Sequence, residues 1–499
     1  LISQLPSFLR LGPRKQTLSD TPEPGWFDAE WYLSQYPDVV ASGMGAWRHF
    51  YMHGRHEGRM PCLAHAKLWG RGELPAAVLA ELKASLRTRP SLQANYAAWL
   101  LGRWHAVHHE WREVWRYMRH YSTTLRDGTP LFMHRMPVML AVEAMRMRRQ
   151  HLRAGRMLGK WEKREGASTE SELARANLLH PMYERRKGAK GRWLAQVNRP
   201  YVLSGLAPLV FRNELPEERP PSMDALYADI PPGSAQPAPH ETVSVIVPAY
   251  NASTGLKAAV ESVLRQTWPA LEVLIVDDAS TDDTRAVAQA LSLGDERVRV
   301  IEQPSNQGAY AARNAGLRES RGDMLTVHDS DDWSHPQKIE QQVLALRAAP
   351  HKVACISHWI RASSELTFGS WQTPSGWAGW CHRNTSSLMF RRSVFEQLGY
   401  WDRVNCSADT EYFHRIMTAF GRDAVLEVAP GVPLALGRIS ATSLTQASDT
   451  SIFSIFSGMR QQYDQAFNAW HAQAGEASAL YLPEHPQARP FPAPQGMLR

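Results

Sequence analysis

From Thr242 onward the chain repeats one pattern, a short β-rich run followed by an amphipathic helix. The runs are VSVIV at 243–247, EVLIV at 272–276, VRVI at 298–301 and MLTV at 324–327. Between the first two, GLKAAVESVLRQ places Leu256, Ala259, Val260, Val263 and Leu264 on one helical face. Ala286, Val287, Ala290 and Leu291 mark a second helix, and a third starts at Ala309. Continuously apolar strands are buried on both faces, and strands that alternate with helices lie parallel. The expected fold class is therefore α/β, a mostly parallel sheet with helices on both faces. Ligands in such sheets sit outside the carboxyl ends of the strands, so the residues that follow each run carry the functional question.

The rest of the chain sets limits on this reading. At 499 residues it has room for about three domains of roughly 150 residues each. With 43% hydrophobic and 21% charged residues, its composition is that of a folded globular protein. No apolar run approaches the roughly 18 residues of a membrane span. Four cysteines without a CxxC pair argue against a disulfide scaffold or a zinc site, and no signal-peptide pattern follows Leu1, so a reducing cytoplasm is the expected location. Charge divides the chain: residues 1–240 hold 34 Lys+Arg against 22 Asp+Glu, and residues 241–499 hold 22 against 27. A small helical module is expected over 1–62, an α-helical basic domain over 63–213, a Pro-rich linker over 214–241, the α/β domain over 242–445 and a helical extension over 446–499. In the basic region HEWREVWRYMRHYS interleaves Arg with aromatic residues. Without a nucleic-acid motif beside it, it reads as helices with aromatic residues inside and Arg stems on the rim, whose field suits the inner face of an anionic membrane better than nucleic acid.

After the first strand stand Pro248, Ala249, Tyr250 and Asn251, with neither GxGxxG nor GxxxxGK[ST], which disfavours dehydrogenases and P-loop enzymes. After the second stand Asp277, Asp278, Ala279, Ser280 and Thr281. Ser280 with Asp283 could form a capping box, and either Asp could serve the turn. After the fourth stands HDSDDW, residues 328–333. Three carboxylates within four positions repel unless cations or donors compensate them, and hard oxygens at this density suit Mg²⁺ or Mn²⁺ bound with phosphates.

Together VSVIVPAYN, VDDASTDDT, NQGAYAARNAG and HDSDDW resemble the motif series of the inverting family 2 glycosyltransferases with the GT-A fold, of the type that builds bacterial surface glycans. The resemblance covers roughly residues 242–445. It implies a nucleotide-sugar donor, a UDP-sugar first, and a divalent cation, Mn²⁺ or Mg²⁺. The acceptor would be a glycan, lipid-linked or protein hydroxyl. Carried over by position, it puts Pro248, Tyr250, Asn251 and Asp278 around the nucleotide, Asn306, Gly308 and Arg313 toward the donor's anionic groups, and Asp329 and Asp331 at the metal, with Asp332 orienting the sugar. Arg313 could instead pair with a neighbouring carboxylate. In CSADTEYFHRI the resemblance places Asp409 as general base, with Glu411 as competitor; both residues also suit the first turn of a helix. Residues 26–61 resemble a small module found beside bacterial polysaccharide glycosyltransferases.

The departures are specific. Ala279 stands where the family often has Gly. Where many relatives have Arg-x-His, this chain has Arg438 and Ser440, which puts a third protein metal ligand in doubt and leaves His382 as a weak substitute. Trp371, Trp377, Trp380 and Trp401 lie where the family builds its acceptor site and can stack on sugars or fill the core. A non-catalytic nucleotide-sugar-binding module is the competing reading. A sugar nucleotidyltransferase would want a Gly-rich basic loop that PAYNAST lacks.

Overall fold

The computed structural model describes residues 23, 27–54, 59–68, 76–86, 92–126, 135–183, 188–211, 220–228, 230–231, 234, 240–371, 379–439 and 458–498. They divide into two compact units, Leu1–Ser171 and Glu172–Arg499. No described helix is long and apolar enough to cross a membrane.

The first unit is helical among its described residues. Helices Ala29–Gln35, Pro37–Ser42 and Ala46–His49 form a small aromatic module in which Phe27 packs tilted against Tyr32 and Phe50, and Tyr32 meets Phe50 edge to face. Longer helices follow at Leu92–Val107, Trp111–Arg126, Arg135–Met147 and His151–Glu165, each packed on the next. The chain reverses between them at His109 and Arg149, both in the left-handed region. Trp99, Leu100 and Tyr117 are buried while Arg112, Arg116 and Arg119 are exposed, the aromatic-inside, Arg-outside arrangement expected of this region.

The second unit is built on a seven-stranded sheet of order β12-β8-β11-β6-β3-β4-β5. Its strands are β3 (Val243–Ala249), β4 (Leu271–Asp277), β5 (Val298–Glu302), β6 (Met324–Val327), β8 (Ala354–Ile356), β11 (Met389–Arg391) and β12 (Val425–Glu427). Only β11 runs against its neighbours. Side chains alternate across the sheet: Ile246, Leu274, Val276, Leu325 and Val327 join the cluster that holds Tyr310, Tyr412, Tyr463 and Phe467, and the intervening residues face the other way. All seven residues of β3 are buried, which is why its run is apolar throughout. Pro248 lies beyond the last β3–β6 pair, Ile246↔Val327, so its missing N–H costs no bond to β6. Since β3 lies between β4 and β6, the loops that follow these three strands meet at one edge.

The segments outside 242–445 are less separate than their composition suggests. Strand β1 (Leu209–Phe211) pairs antiparallel with β2 (Leu226–Ala228), inside the stretch read as a linker. Met223 there is fully buried, and Trp333 donates to the Leu226 carbonyl. Asn177 and His180 bond to the backbone of Phe368 and Glu365, and Tyr201 donates to the Pro433 carbonyl. A smaller sheet of order β10-β9-β13-β7 uses β7 (Trp333–Ser334), β9 (His358–Ala362), β10 (His382–Arg383) and β13 (Pro433–Arg438).

At the carboxyl end, the helix Met459–Gln473 joins the main core through Tyr463 and Phe467. It is tied to the helix Ala408–Phe420 by a fully buried cluster. Arg415 bonds Glu411 at 2.9 and 2.6 Å and the carbonyls of Leu398 and Tyr400 at 2.8 and 3.0 Å, while His471 meets Glu411 at 2.9 Å. Burial works against the Glu411 charge, but Arg415 and His471 outweigh it and hold its pKa below the usual range. Removing one member of a buried pair leaves the other charge uncompensated, at a cost of about 3–5 kcal/mol. Arg415→Met should therefore destabilise the fold by about that much, read as a lower urea midpoint with an unchanged slope.

Candidate active site

The loops after β3 and β4 are stapled together. Asn251, left-handed at φ 49°, accepts at Oδ1 from the Thr281 backbone at 2.8 Å, and its own N–H donates to Ser280 Oγ at 3.0 Å. Asp282 accepts from the backbone of Thr284 and Ser253. Burial would raise its pKa, but hydrogen bonds from the Thr284 hydroxyl, from Ser253 and from the Thr284 backbone lower it to about 2. Asp282, rather than the Ser280–Asp283 capping box, thus serves the helix Thr284–Gly294, and Asn251 is a loop staple. Ala279 adopts φ 57°, a left-handed position where Gly would be unstrained. Tyr250 projects from this edge, 49% exposed.

Asp278 points under the next helix. Its two oxygens accept from the backbone N–H of Gln307 at 2.8 Å and of Gly308 at 2.7 Å, just before the helix Ala309–Glu319. A carboxylate placed there complements the helix dipole and fixes the loop that contains Asn306. It also occupies backbone donors that the sequence reading left open to the donor's anionic groups.

One turn into that helix, buried Arg313 donates from Nη2 to Asp329 Oδ1 at 2.9 Å and lies over the Tyr310 ring at 4.8 Å. The pairing weighed as an alternative for Arg313 is therefore made, and made with the first carboxylate of HDSDDW. Its Nε and Nη1 are buried and lack a partner among the described residues. Burial disfavours the guanidinium charge, but Asp329, Tyr310 and Asp409 raise its pKa overall.

Within the acidic loop, Asp332 is buried and accepts at Oδ1 from the Arg438 backbone at 3.0 Å. Arg438 also donates to the Asp331 carbonyl at 3.0 Å and pairs with Asp224. Arg438, the Arg of the Arg-x-His position, is thus fastened to the acidic loop; Ser440, which stands in place of the His, lies outside the described residues. Asp331 accepts no side-chain hydrogen bond among the described residues, and burial together with Asp329 raises its pKa. Buried Lys338 stands behind the loop with its pKa lowered to about 8 by burial, against the pull of Asp332 and Asp329. Gly255 permits the close approach of the preceding loop, since a Cβ there would lie 3.1 Å from both Asp331 Cα and the Ser330 carbonyl. As a donor set, Asp329 and Asp331 fit a hard divalent cation: both are carboxylates, Asp331 accepts from no other side chain among the described residues, and their mutual repulsion favours a counter-charge.

The two candidate bases have separate fates. Asp409, in the first turn of Ala408–Phe420, accepts at Oδ1 from Tyr310 Oη at 2.8 Å and the Thr410 backbone at 2.9 Å. Its Oδ2 has no hydrogen bond among the described residues. Glu411 is the core anion of the Arg415 and His471 cluster and has no exposed surface. A continuous line, Asp409–Tyr310–Arg313–Asp329, links the helix start to the acidic loop. Tyr310 was not foreseen; its place in NQGAYAARNAG, three residues before Arg313, is the only signal for it.

Residues 244–407 match the sequence model of the family described as Glycosyl transferase family 2. That segment belongs to this family. Glycosyltransferase GlyG of Streptococcus pneumoniae is 40% identical over 100 residues, 20% of this chain and 33% of that one. Succinoglycan biosynthesis protein ExoO of Rhizobium meliloti is 38% identical over 112 residues, 22% of this chain and 32% of that one. The chain thus spans about a third of the length of these relatives. Among solved structures, mannosyltransferase PcManGT from Pyrobaculum calidifontis in complex with GDP-Man and Mn²⁺ superposes with a TM-score of 0.36 at 18% identity, covering 50% of this chain and 67% of that one.

Within the family 2 segment the tryptophans read as acceptor contacts are mostly interior. Trp401 packs on Phe390 and Tyr412, with its backbone held by Asn314. Trp371 and Trp380 are buried and meet edge to face at 5.5 Å, and Gly369 gives Trp380 its room. Their burial favours the core alternative; Trp377 lies outside the described residues. His382 accepts from Trp359 Nε1 at 3.2 Å, with its pKa lowered to about 4 by burial.

A further carboxylate, Asp464 on the helix Met459–Gln473, was not anticipated. Its Oδ1 is buried and unpartnered among the described residues, and burial, with Asp409 adding and Arg460 opposing, raises its pKa to about 7. An acid with a raised folded pKa stabilises the fold below its unfolded value of 3.8, and that contribution is lost as pH rises through about 7. The stability difference between Asp464→Asn and the parent should therefore shift in the variant's favour from pH 4 to pH 8, measured by denaturant unfolding at each pH. A constant difference would rule out this titration.

Proposed function

We propose that the chain is an inverting glycosyltransferase that moves a sugar from a nucleotide-sugar donor to an acceptor hydroxyl in surface-glycan synthesis. The single observation that carries this reading is the Asp409–Tyr310–Arg313–Asp329 line, whose last three members lie inside the family 2 segment while Asp409 stands two residues beyond its end. Among the described residues it joins a carboxylate with an unbonded oxygen to a buried cation with unpartnered donors and to an acidic loop suited to metal. In this reading exposed Tyr250 stacks on the donor base, Asp332 orients the sugar, and Asp329 and Asp331 hold Mn²⁺ or Mg²⁺. The bound cation supplies charge neutralisation at the donor diphosphate.

Asp409 Oδ2 takes the acceptor's proton as the acceptor oxygen bonds to the anomeric carbon and the bond to the nucleoside diphosphate breaks. Tyr310, donating to Oδ1, holds the carboxylate with Oδ2 toward the cleft. The free Nε and Nη1 of Arg313 meet the negative charge that develops on the leaving group, and such donors are strongest where water is excluded. Glu411, neutralised within the core, is left to hold the helix.

Two measurements test the assignment. Asp409→Asn keeps both hydrogen bonds to Oδ1, so the fold and donor affinity should persist while turnover falls by about 10²–10⁴. If Asp409→Asn retains transfer while a folded Glu411→Gln loses it, the base is Glu411. Calorimetric titration with UDP should give at least tenfold tighter binding in Mn²⁺ than in EDTA, and Asp331→Asn should abolish the difference. Equal affinity in both buffers would remove the metal from this site.

A further inference from the structure

The first unit contains a groove that the transfer chemistry does not use. It lies between the helices Arg135–Met147 and His151–Glu165, has a volume of about 1010 Å³, and is lined by both apolar and cationic side chains. Val138 and Met145, both buried, form its floor with Met157, and Trp161 stands beside them. Arg156, Lys160 and Lys163 line it at helical spacing i, i+4 and i+7, so they form one stripe about 10 Å long.

These three cations differ from the others nearby. Arg146 is paired with Glu143 at 2.6 Å, Arg164 with Glu165 at 2.8 Å, and Arg153 lies over the Trp115 ring at 5.2 Å. Arg156, Lys160 and Lys163 have no carboxylate partner among the described residues. A row of like charges facing a concave surface is held at a repulsive cost, which a ligand with several anions along its length would relieve. A single phosphate would not span the stripe. A flat bilayer meets convex surfaces more readily than a groove, and an indole beside the cations suits the apolar face of a sugar ring.

We propose that this groove binds an anionic glycan chain, with carboxylate or phosphate groups on Arg156, Lys160 and Lys163 and a sugar ring against Trp161. That the bound chain is the acceptor rests on the glycosyltransferase reading; that the groove binds it does not. Recognition of this kind weakens as salt screens it.

The test is calorimetric titration of the full chain with polygalacturonate oligomers, neutral dextran oligomers, and vesicles of phosphatidylglycerol or phosphatidylcholine. The expected result is polygalacturonate binding that weakens with salt, no binding of dextran, and at least a tenfold loss in R156Q/K160Q/K163Q. That variant should keep the parent's circular dichroism and UDP affinity, because the three residues are outside the donor site. Trp161→Ala should weaken polygalacturonate without changing the salt dependence. Equal binding by parent and triple variant, equal binding of dextran, or phosphatidylglycerol binding through the same three residues in place of polygalacturonate would each overturn the proposal. Polygalacturonate binding without any sugar transfer would uphold the groove and overturn the glycosyltransferase reading. Transfer activity without polygalacturonate binding would do the reverse.

Discussion

Three carboxylates within four residues at the end of β6 repel one another, and much of the second unit is arranged to hold them in place. Arg313 reaches Asp329 from the helix Ala309–Glu319, Arg438 on β13 donates to the Asp331 carbonyl and the Asp332 carboxylate, and Lys338 lies buried behind them. Each cation comes from a different element, so the acidic loop keeps its shape only when the main sheet, the smaller sheet and the intervening helices are all in place. Among the described residues no other side chain donates to the Asp331 carboxylate, while its carbonyl accepts from Arg438.

The helix Ala408–Phe420 divides labour between two acids that are two residues apart. Successive positions on a helix diverge by about 100°, so Asp409 and Glu411 face in nearly opposite directions. Glu411 turns into the core, where Arg415 and His471 neutralise it, and in doing so it fixes the helix against Met459–Gln473. Asp409 turns toward Tyr310, which donates to its Oδ1. A buried ion pair contributes little net stability but fixes position, and here it determines where the outward-facing carboxylate stands.

A line of contact from Tyr310 to Arg313 couples these two regions. The phenol bonds Asp409 while its ring lies under the guanidinium that bonds Asp329. Any movement of the helix Ala309–Glu319 would therefore shift the acidic loop and the outward-facing carboxylate together. Asp278 restrains that movement by binding the two backbone N–H groups at the helix start.

The strand and helix pattern from Thr242 was legible in the sequence because apolar periodicity reports burial directly, and four motifs in order were enough to expose the family. The same local signals placed Asp329, Asp331 and Asp409 correctly at the ends of elements. Which partner each side chain finds was not legible. Arg313 and Asp329 are 16 residues apart, Tyr310 and Asp409 are 99 apart, and Arg438 and Asp332 are 106 apart. The linker reading of 214–241, the choice between acceptor and core roles for Trp401 and the choice between Asp409 and Glu411 all depend on burial, which composition does not determine for an isolated residue. Sequence alone determined the order of strands and helices and the residue types at the strand ends. Only the tertiary structure decided which charges are compensated and which are left free, because that depends on groups brought together from distant parts of the chain.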